Sequence, residues 1–226
     1  MFKLGRQGDV HILTLQNGEN LMDRGFFREL DHVLDEVEAA SRGDAALVVT
    51  GEGKYFSNGL DLPVITGYGP EEATAFGLEL MRGMGRLLVF PIPTVAAVNG
   101  HAFAGGALLA ASCDYRVMRE DRGWLCMAEV DVGVPIDPEL MALLAAKLPP
   151  ATLRTSVLEG HRYPGTEALA AGWVDALAPE DELLSAAVER AAGLASKGRD
   201  IFAAIKRGLW GEIAKGLGYD ADPPAT

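Results

Sequence analysis

Residues 94–111 read Thr94-Val95-Ala96-Ala97-Val98-Asn99-Gly100-His101-Ala102-Phe103-Ala104-Gly105-Gly106-Ala107-Leu108-Leu109-Ala110-Ala111, and the order of these parts decides the fold class. The run from Thr94 to Val98, apolar after its first residue and without alternation, predicts a strand buried on both faces. Asn99-Gly100 turns the chain, and Gly105-Gly106 opens a run of small and aliphatic residues that predicts a buried helix. The same order occurs upstream. Ala45-Ala46-Leu47-Val48-Val49-Thr50 is another apolar strand, and the loop after it carries Phe56-Ser57-Asn58-Gly59-Leu60-Asp61. A helix is predicted over 70–89. Strand, glycine-bearing loop and helix, twice over, predict an α/β fold with a mainly parallel sheet.

Outward from these units, Phe2, Leu4, Val10 and Ile12 alternate around a break at Gly8-Asp9, which predicts a short antiparallel pair. From Asp23 to about Ser41, Phe26, Phe27, Leu30, Val33, Leu34 and Val37 recur at helical spacing with charged residues opposite, so an amphipathic helix is predicted. Tyr115-Arg116-Val117-Met118 and Trp124-Leu125-Cys126-Met127-Ala128 are further strand candidates. From Asp137 the composition turns helical, giving a helical C-terminal part from about residue 160.

The length, 226 residues, fits one large domain or one domain with a small appendage, at about 100–200 residues per domain. Apolar residues make up 49% and charged residues 23%, enough for a sizeable core and against a disordered chain. The net charge of -12 repels phosphate backbones and anionic membranes, so neither nucleic acid nor membrane is expected as a partner. The uncharged stretch 87–113 passes the length threshold of a transmembrane helix, but Pro91, Pro93, Asn99-Gly100 and Gly105-Gly106 interrupt it. Cys113 and Cys126 read as buried thiols of a reducing compartment. The first ten residues hold no signal-peptide stretch and the terminal Pro-Ala-Thr is no obvious sorting address, so a cytoplasmic location is expected.

Several motifs fail on chemistry. Gly100 and Gly105 have P-loop spacing, but Gly106 and Ala107 stand where Lys and Ser or Thr are required. Ser57 lacks the glycine two places before it that a nucleophile elbow needs. His11, His32, His101 and His161 show no metal-ligand spacing, and no metal is expected. What remains is the pair of glycine loops. Glycines at strand ends leave N–H groups uncovered, and a helix opening at Gly105 points free donors and its positive dipole end into the same cleft. Two such loops can converge on one oxygen.

Together, Phe56-Ser57-Asn58-Gly59-Leu60-Asp61, Ala96 through Gly106, and Cys113-Asp114 resemble the crotonase family, the enoyl-CoA hydratase/isomerase superfamily, from the first hairpin to about residue 210. The resemblance implies a crotonase-like spiral of ββα turns over residues 1–160 and a helical trimerisation region over 161–226. It implies a homotrimer or dimer of trimers, an acyl-CoA substrate in fatty-acid β-oxidation, and no cofactor, because CoA is part of the substrate. By position, the N–H groups of Leu60 and Gly105 hold the thioester oxygen, with Ser57, Gly59, Gly106, Arg24 and Asp137 as substrate-binding candidates. Arg24, Lys54 and a neighbour's Lys206 are the candidate cations for CoA phosphates. Phe76, Leu80 and Met84 either line an acyl tunnel or are plain core.

Hydratases of the family use two glutamates. Set against their Gly-Gly-Cys-Glu-Leu-Ala, the run Gly-Gly-Ala-Leu-Leu-Ala puts Leu108 at the first, which cannot carry a proton. The second falls on Glu129, in a strand-to-turn segment whose apolar neighbours should raise its pKa. Hydration needs two acids, whereas moving a double bond needs one base. The expected function is therefore an enoyl-CoA isomerase shifting 3-enoyl-CoA to 2-enoyl-CoA, with Glu129 as proton shuttle. A hydratase ranks second and a catalytically silent acyl-CoA-binding subunit third. Asp131, two residues on and on the same strand face, is expected to be structural, and Asp137 to cap a helix ahead of Pro138, with a role as second acid or nucleophile as its alternative.

Overall fold

In this computed structural model, which describes residues 2–221, the N-terminal pair forms as expected. β1 (Phe2–Gln7) and β2 (Val10–Leu15) run antiparallel, and Gly8 makes the turn at φ +58°. Met1 and residues 222–226, which include the terminal Pro-Ala-Thr, lie outside the described residues. The first helix, α1 (Arg24–Ala40), starts where Asp23 accepts a hydrogen bond from the Phe26 N–H at 2.8 Å. It buries Phe26, Leu30, Leu34 and Val37.

Three ββα turns follow. The first is β3 (Ala46–Gly51) and β4 (Tyr55–Ser57), then the short α2 (Leu62–Ile65) and the long α3 (Pro70–Leu88). The second is β5 (Thr94–Val98), β6 (His101–Phe103) and α4 (Gly105–Ser112). The third is β7 (Tyr115–Arg119), β8 (Leu125–Cys126) and α5 (Glu129–Val132). Each turn gives one strand to each of two sheets. The larger has the order β1-β2-β3-β5-β7 and a last strand described below, parallel from β2 onward. The smaller is β4-β6-β8, all parallel. The glycine-bearing stretches thus contain two strands of the second sheet, β4 and β6. Three residues are too few for a period to be read, so the sequence shows these two strands only as loops, whereas β8 falls within the strand candidate Trp124–Ala128.

The larger sheet is covered on both faces. In β3, Ala46 and Val48 pack with Val10, Val95 and Ala97 on one face, and Leu47 and Val49 join Ala96, Val98 and the α1 side chains on the other. That two-sided burial is why these strands read as unbroken apolar runs.

The C-terminal part runs through α6 (Pro138–Lys147), α7 (Pro150–Glu159), α8 (Gly165–Ala170), β9 (Ala176–Ala178), α9 (Leu183–Ala195) and α10 (Arg199–Gly216). It is not wholly helical: β9 pairs parallel with β7 as the last strand of the larger sheet. Ala-Leu-Ala carries no β-branched residue to announce a strand; the open edge of β7 recruits it. α9 then covers the sheet with Leu183, Ala187, Val188 and Ala191.

Lys206, on α10, is buried with its Nζ 3.0 Å from Asp114 Oδ2, and burial holds its pKa below the usual lysine value. Asp114 also accepts from the N–H and Oγ1 of Thr94, so the pair ties α10 to the start of β5. Lys206→Met is expected to leave an uncompensated buried carboxylate and cost about 3–5 kcal/mol in urea unfolding. The variant Lys206→Met with Asp114→Asn should recover most of it. A single variant as stable as wild type would show the pair to be energetically idle.

Candidate active site

The loop after β4 is tied down from two sides. The Met22 N–H donates to the Gly59 carbonyl at 2.8 Å and the Asp61 N–H to the Met22 carbonyl at 2.9 Å, a parallel bridge that passes over the Leu60 N–H. Ser57, fully buried, donates through Oγ to the Asn20 carbonyl at 2.7 Å and accepts from the Gly59 N–H at 3.2 Å. Gly59 makes the turn at φ +85°.

The second loop enters α4 through Ala104, at φ +48° and ψ −114°. This is close to the first central position of a type II′ turn, where glycine is favoured, and such a conformation costs of order 1–3 kcal/mol in a non-glycine residue. The turn makes Gly105 the first residue of α4. Its N–H has no intrahelical acceptor and lies at the positive end of the helix dipole. The two loops touch: a methyl on Gly59 would come 2.9 Å from the Phe103 carbonyl and 3.4 Å from the Gly105 nitrogen. Gly106 allows this approach, because a Cβ there would run into the Ser57 carbonyl.

Leu60 and Gly105 therefore meet in the wall of a cavity of about 510 Å³. Its apolar surface comes from Leu60, Phe76, Leu80, Leu108, Ile136 and Leu140. Glu129 lines the same cavity as the first residue of α5. Its Oε2 is buried and has no hydrogen-bond partner. Burial pushes its carboxyl above the usual carboxylate range, and a hydrogen bond from its own backbone offsets part of that. A desolvated carboxylate facing an apolar chamber is suited to taking a proton from carbon.

The structure separates the other candidates. Ser57, Gly59 and Gly106 were expected to bind substrate, but they do not line the cavity and instead hold the two loops together. Arg24 does not line it either: its guanidinium is taken up by Glu79, at 2.6 and 3.0 Å. Lys54 lies over the Tyr55 ring, and Lys206 is buried with Asp114. Phe76 and Leu80 line the cavity, while Met84 is plain core. Asp137 stands at the N-cap position of α6 but makes no capping hydrogen bond; it lines the cavity as an exposed residue. Asp131 does not share a face with Glu129, because the segment is helical and residues two apart diverge. Its carboxylate lies against Gly160, where a Cβ would come 2.8 Å from Oδ2.

Among the lining residues to which the sequence reading assigned no role are Asn58, Phe103 and Arg162. The first two sit inside the quoted loops. Arg162 arrives from far along the chain, carried by the bridge in which Tyr163 and Leu125 exchange hydrogen bonds at 2.9 and 3.0 Å, and no local pattern marks it. Both cysteines are free and buried, with thiol pKa values pushed up to about 12 and about 11. No cluster of metal-ligating side chains forms among the described residues, and no helix among them is long and apolar enough to cross a membrane.

Comparison with known proteins gives the family and the fold. The enoyl-CoA hydratase/isomerase family matches residues 5–215. The peroxisomal enoyl-CoA delta isomerase 2 of Arabidopsis thaliana is 35% identical over 237 residues, covering 100% of this chain and 99% of its own. The peroxisomal enoyl-CoA delta isomerase 1 of the same plant is 30% identical, covering 94% and 91%. Among solved structures, the apo enoyl-CoA isomerase of Mycobacterium tuberculosis superposes with a TM-score of 0.88 at 26% identity, over 96% of this chain and 94% of that one. These relatives correct one expectation. A cytoplasmic location was taken from the lack of a recognisable address at the chain ends, and it conflicts with relatives that are peroxisomal. Sorting signals are read by receptors and carry no compositional trace that a globular sequence must show.

Proposed function

Because the chain belongs to the enoyl-CoA hydratase/isomerase family, we propose that it is an enoyl-CoA isomerase that moves the double bond of a 3-enoyl-CoA to position 2 through Glu129. The thioester oxygen sits between the Leu60 and Gly105 N–H groups. Glu129 takes a proton from C2, the charge passes to the thioester oxygen as a dienolate forms, and the same carboxyl returns the proton at C4. No atom is gained or lost, and no cofactor is needed beyond the CoA of the substrate. Each preorganised donor facing the developing oxyanion is worth about 2.7–4 kcal/mol.

The observation that carries this reading is the pairing of Glu129 with Leu108 across one cavity. Glu129 is half-buried, with its Oε2 buried and without a hydrogen-bond partner and its pKa raised by burial, and the helix position from which a second acid would act is aliphatic. The relatives named as enoyl-CoA delta isomerases support it. The assembly we propose is a homotrimer or a dimer of trimers joined through the C-terminal region, 161–226. The exposed stripe Ile201, Ile205 and Leu209 on α10 supports an interface there.

Incubation with 3-hexenoyl-CoA and, separately, with crotonyl-CoA tests the reading. Isomerisation of the first without hydration of the second is expected. Fast hydration of crotonyl-CoA would replace the isomerase with a hydratase, and thioester binding without proton exchange at C2 would replace it with a silent binding subunit.

A further inference from the structure

The cavity holds a cation that the proton-transfer chemistry leaves unused. Arg162 lines it beside Phe103, with its guanidinium carbon 5.8 Å from the centre of the Phe103 ring and 5.6 Å from that of Trp124. The position is fixed from below. Tyr163 is hydrogen-bonded to Leu125 of β8 through both main-chain groups, the two rings give the side chain a flat bed, and the Cys126 thiol lies within hydrogen-bonding reach. Rings and a thiol are weak partners for a guanidinium, whose planar fork of donors is matched by paired oxygens.

Among the described residues Arg42, Arg122, Arg154, Arg190 and Arg207 also form no ion pair, but of these and Arg162 only Arg162 lines the cavity, and most of the chain's arginines meet an acid. Arg24 is answered by Glu79, Arg86 by Asp31, Asp35 and Glu38, Arg116 by Asp175, Arg119 by Asp121 and Glu180, and Arg199 by Glu38. Acids outnumber bases 32 to 20, so counter-charge is abundant. Among the described residues Arg162 nevertheless forms no ion pair, not even with Glu129 or Asp137, which line the same cavity. Nor is it among the groups that shift Glu129, whose raised pKa comes from burial. The arginine therefore leaves the base free to act and presents its own donors to whatever fills the chamber.

We propose that Arg162 is a specificity-determining residue that pairs with an oxyanion carried by the thioester ligand. This rests on the acyl-CoA reading above and adds to it the charge that the ligand must bring. A guanidinium meets the same chemistry in two parts of such a ligand: a carboxylate at the far end of the acyl chain, or a phosphate of the CoA moiety.

Binding of saturated thioesters, which cannot isomerise, separates this proposal from the catalytic one. Hexanoyl-CoA, hexanedioyl-CoA and hexanoylpantetheine, the last without nucleotide phosphates, are titrated calorimetrically into wild type, Arg162→Leu and Arg162→Lys. If the partner is the terminal carboxylate, Arg162→Leu weakens hexanedioyl-CoA by about tenfold to a hundredfold and leaves the other two within about twofold, as expected for a lost charged hydrogen bond. If it is a phosphate, both CoA thioesters weaken by that factor and hexanoylpantetheine does not. In either case Arg162→Lys, which keeps the charge but not the fork, recovers part of the loss, and it carries the test should the leucine variant not fold. Wild-type binding that neither substitution alters for any ligand overturns the proposal while the acyl-CoA reading stands. Failure of wild type to bind any of the three overturns both.

Discussion

Glu129→Gln is expected to lower kcat for isomerisation of 3-hexenoyl-CoA by about 10²–10⁴-fold, with KM close to that of wild type, because the variant keeps shape and volume and loses only the group that moves the proton. Wild-type kcat/KM should fall as the pH drops through the raised pKa of Glu129, where the base becomes protonated. That acidic limb should be absent from the residual activity of the variant. Stability is expected to move the other way. A carboxyl whose folded pKa lies above its unfolded value stabilises the native state while protonated, and that contribution is lost as the pH rises through the folded value. Above its folded pKa the ionised Glu129 is therefore a burden on the fold, and there the glutamine variant should melt at or above the wild-type temperature. Undiminished turnover would sink the mechanism; lost turnover together with a lower melting temperature would point to misfolding.

How far the sequence carried the site depends on which physical signal each part leaves. The buried strands were legible because burial on both faces forces every side chain to be apolar, and Ala46 through Val49 obey that without exception. Gly59 and Gly106 were visible as glycines, but their purpose was not. Contact between two loops belongs to neither loop alone, and only in the fold does a Cβ at Gly106 meet the Ser57 carbonyl. Glu129 was found through the resemblance, yet its local structure was misread, since a one-turn helix over Glu-Val-Asp-Val looks like strand in a β-branched sequence. The reading of Arg24 failed for a related reason. A lone arginine near a glycine loop looks available until α3 brings Glu79 against it, and Arg162 is the converse, a surface-looking residue that a distant bridge carries into the cavity.

That contact between loops makes the second large effect predictable. Gly59→Ala changes no reacting group, yet it is expected to lower kcat by about 10²–10³-fold, the size of losing one oxyanion donor. The added methyl would lie 2.9 Å from the Phe103 carbonyl and 3.4 Å from the Gly105 nitrogen, so the second loop has to retreat and carry the Gly105 N–H away from its place opposite Leu60. An alanine at φ +85° also costs about 1–3 kcal/mol of backbone strain, so activity has to be referred to the folded fraction measured by circular dichroism. A methyl is harmless where there is room: Gly193→Ala on α9, with nothing within 4 Å of the new atom, is expected to leave kcat unchanged and to add about 0.5–1 kcal/mol to stability. The pH profile separates hole from base, since Gly59→Ala should retain the acidic limb that Glu129→Gln loses. Full activity per folded Gly59→Ala molecule would mean that the thioester oxygen is held elsewhere, and the junction of the two loops would then be a packing contact alone.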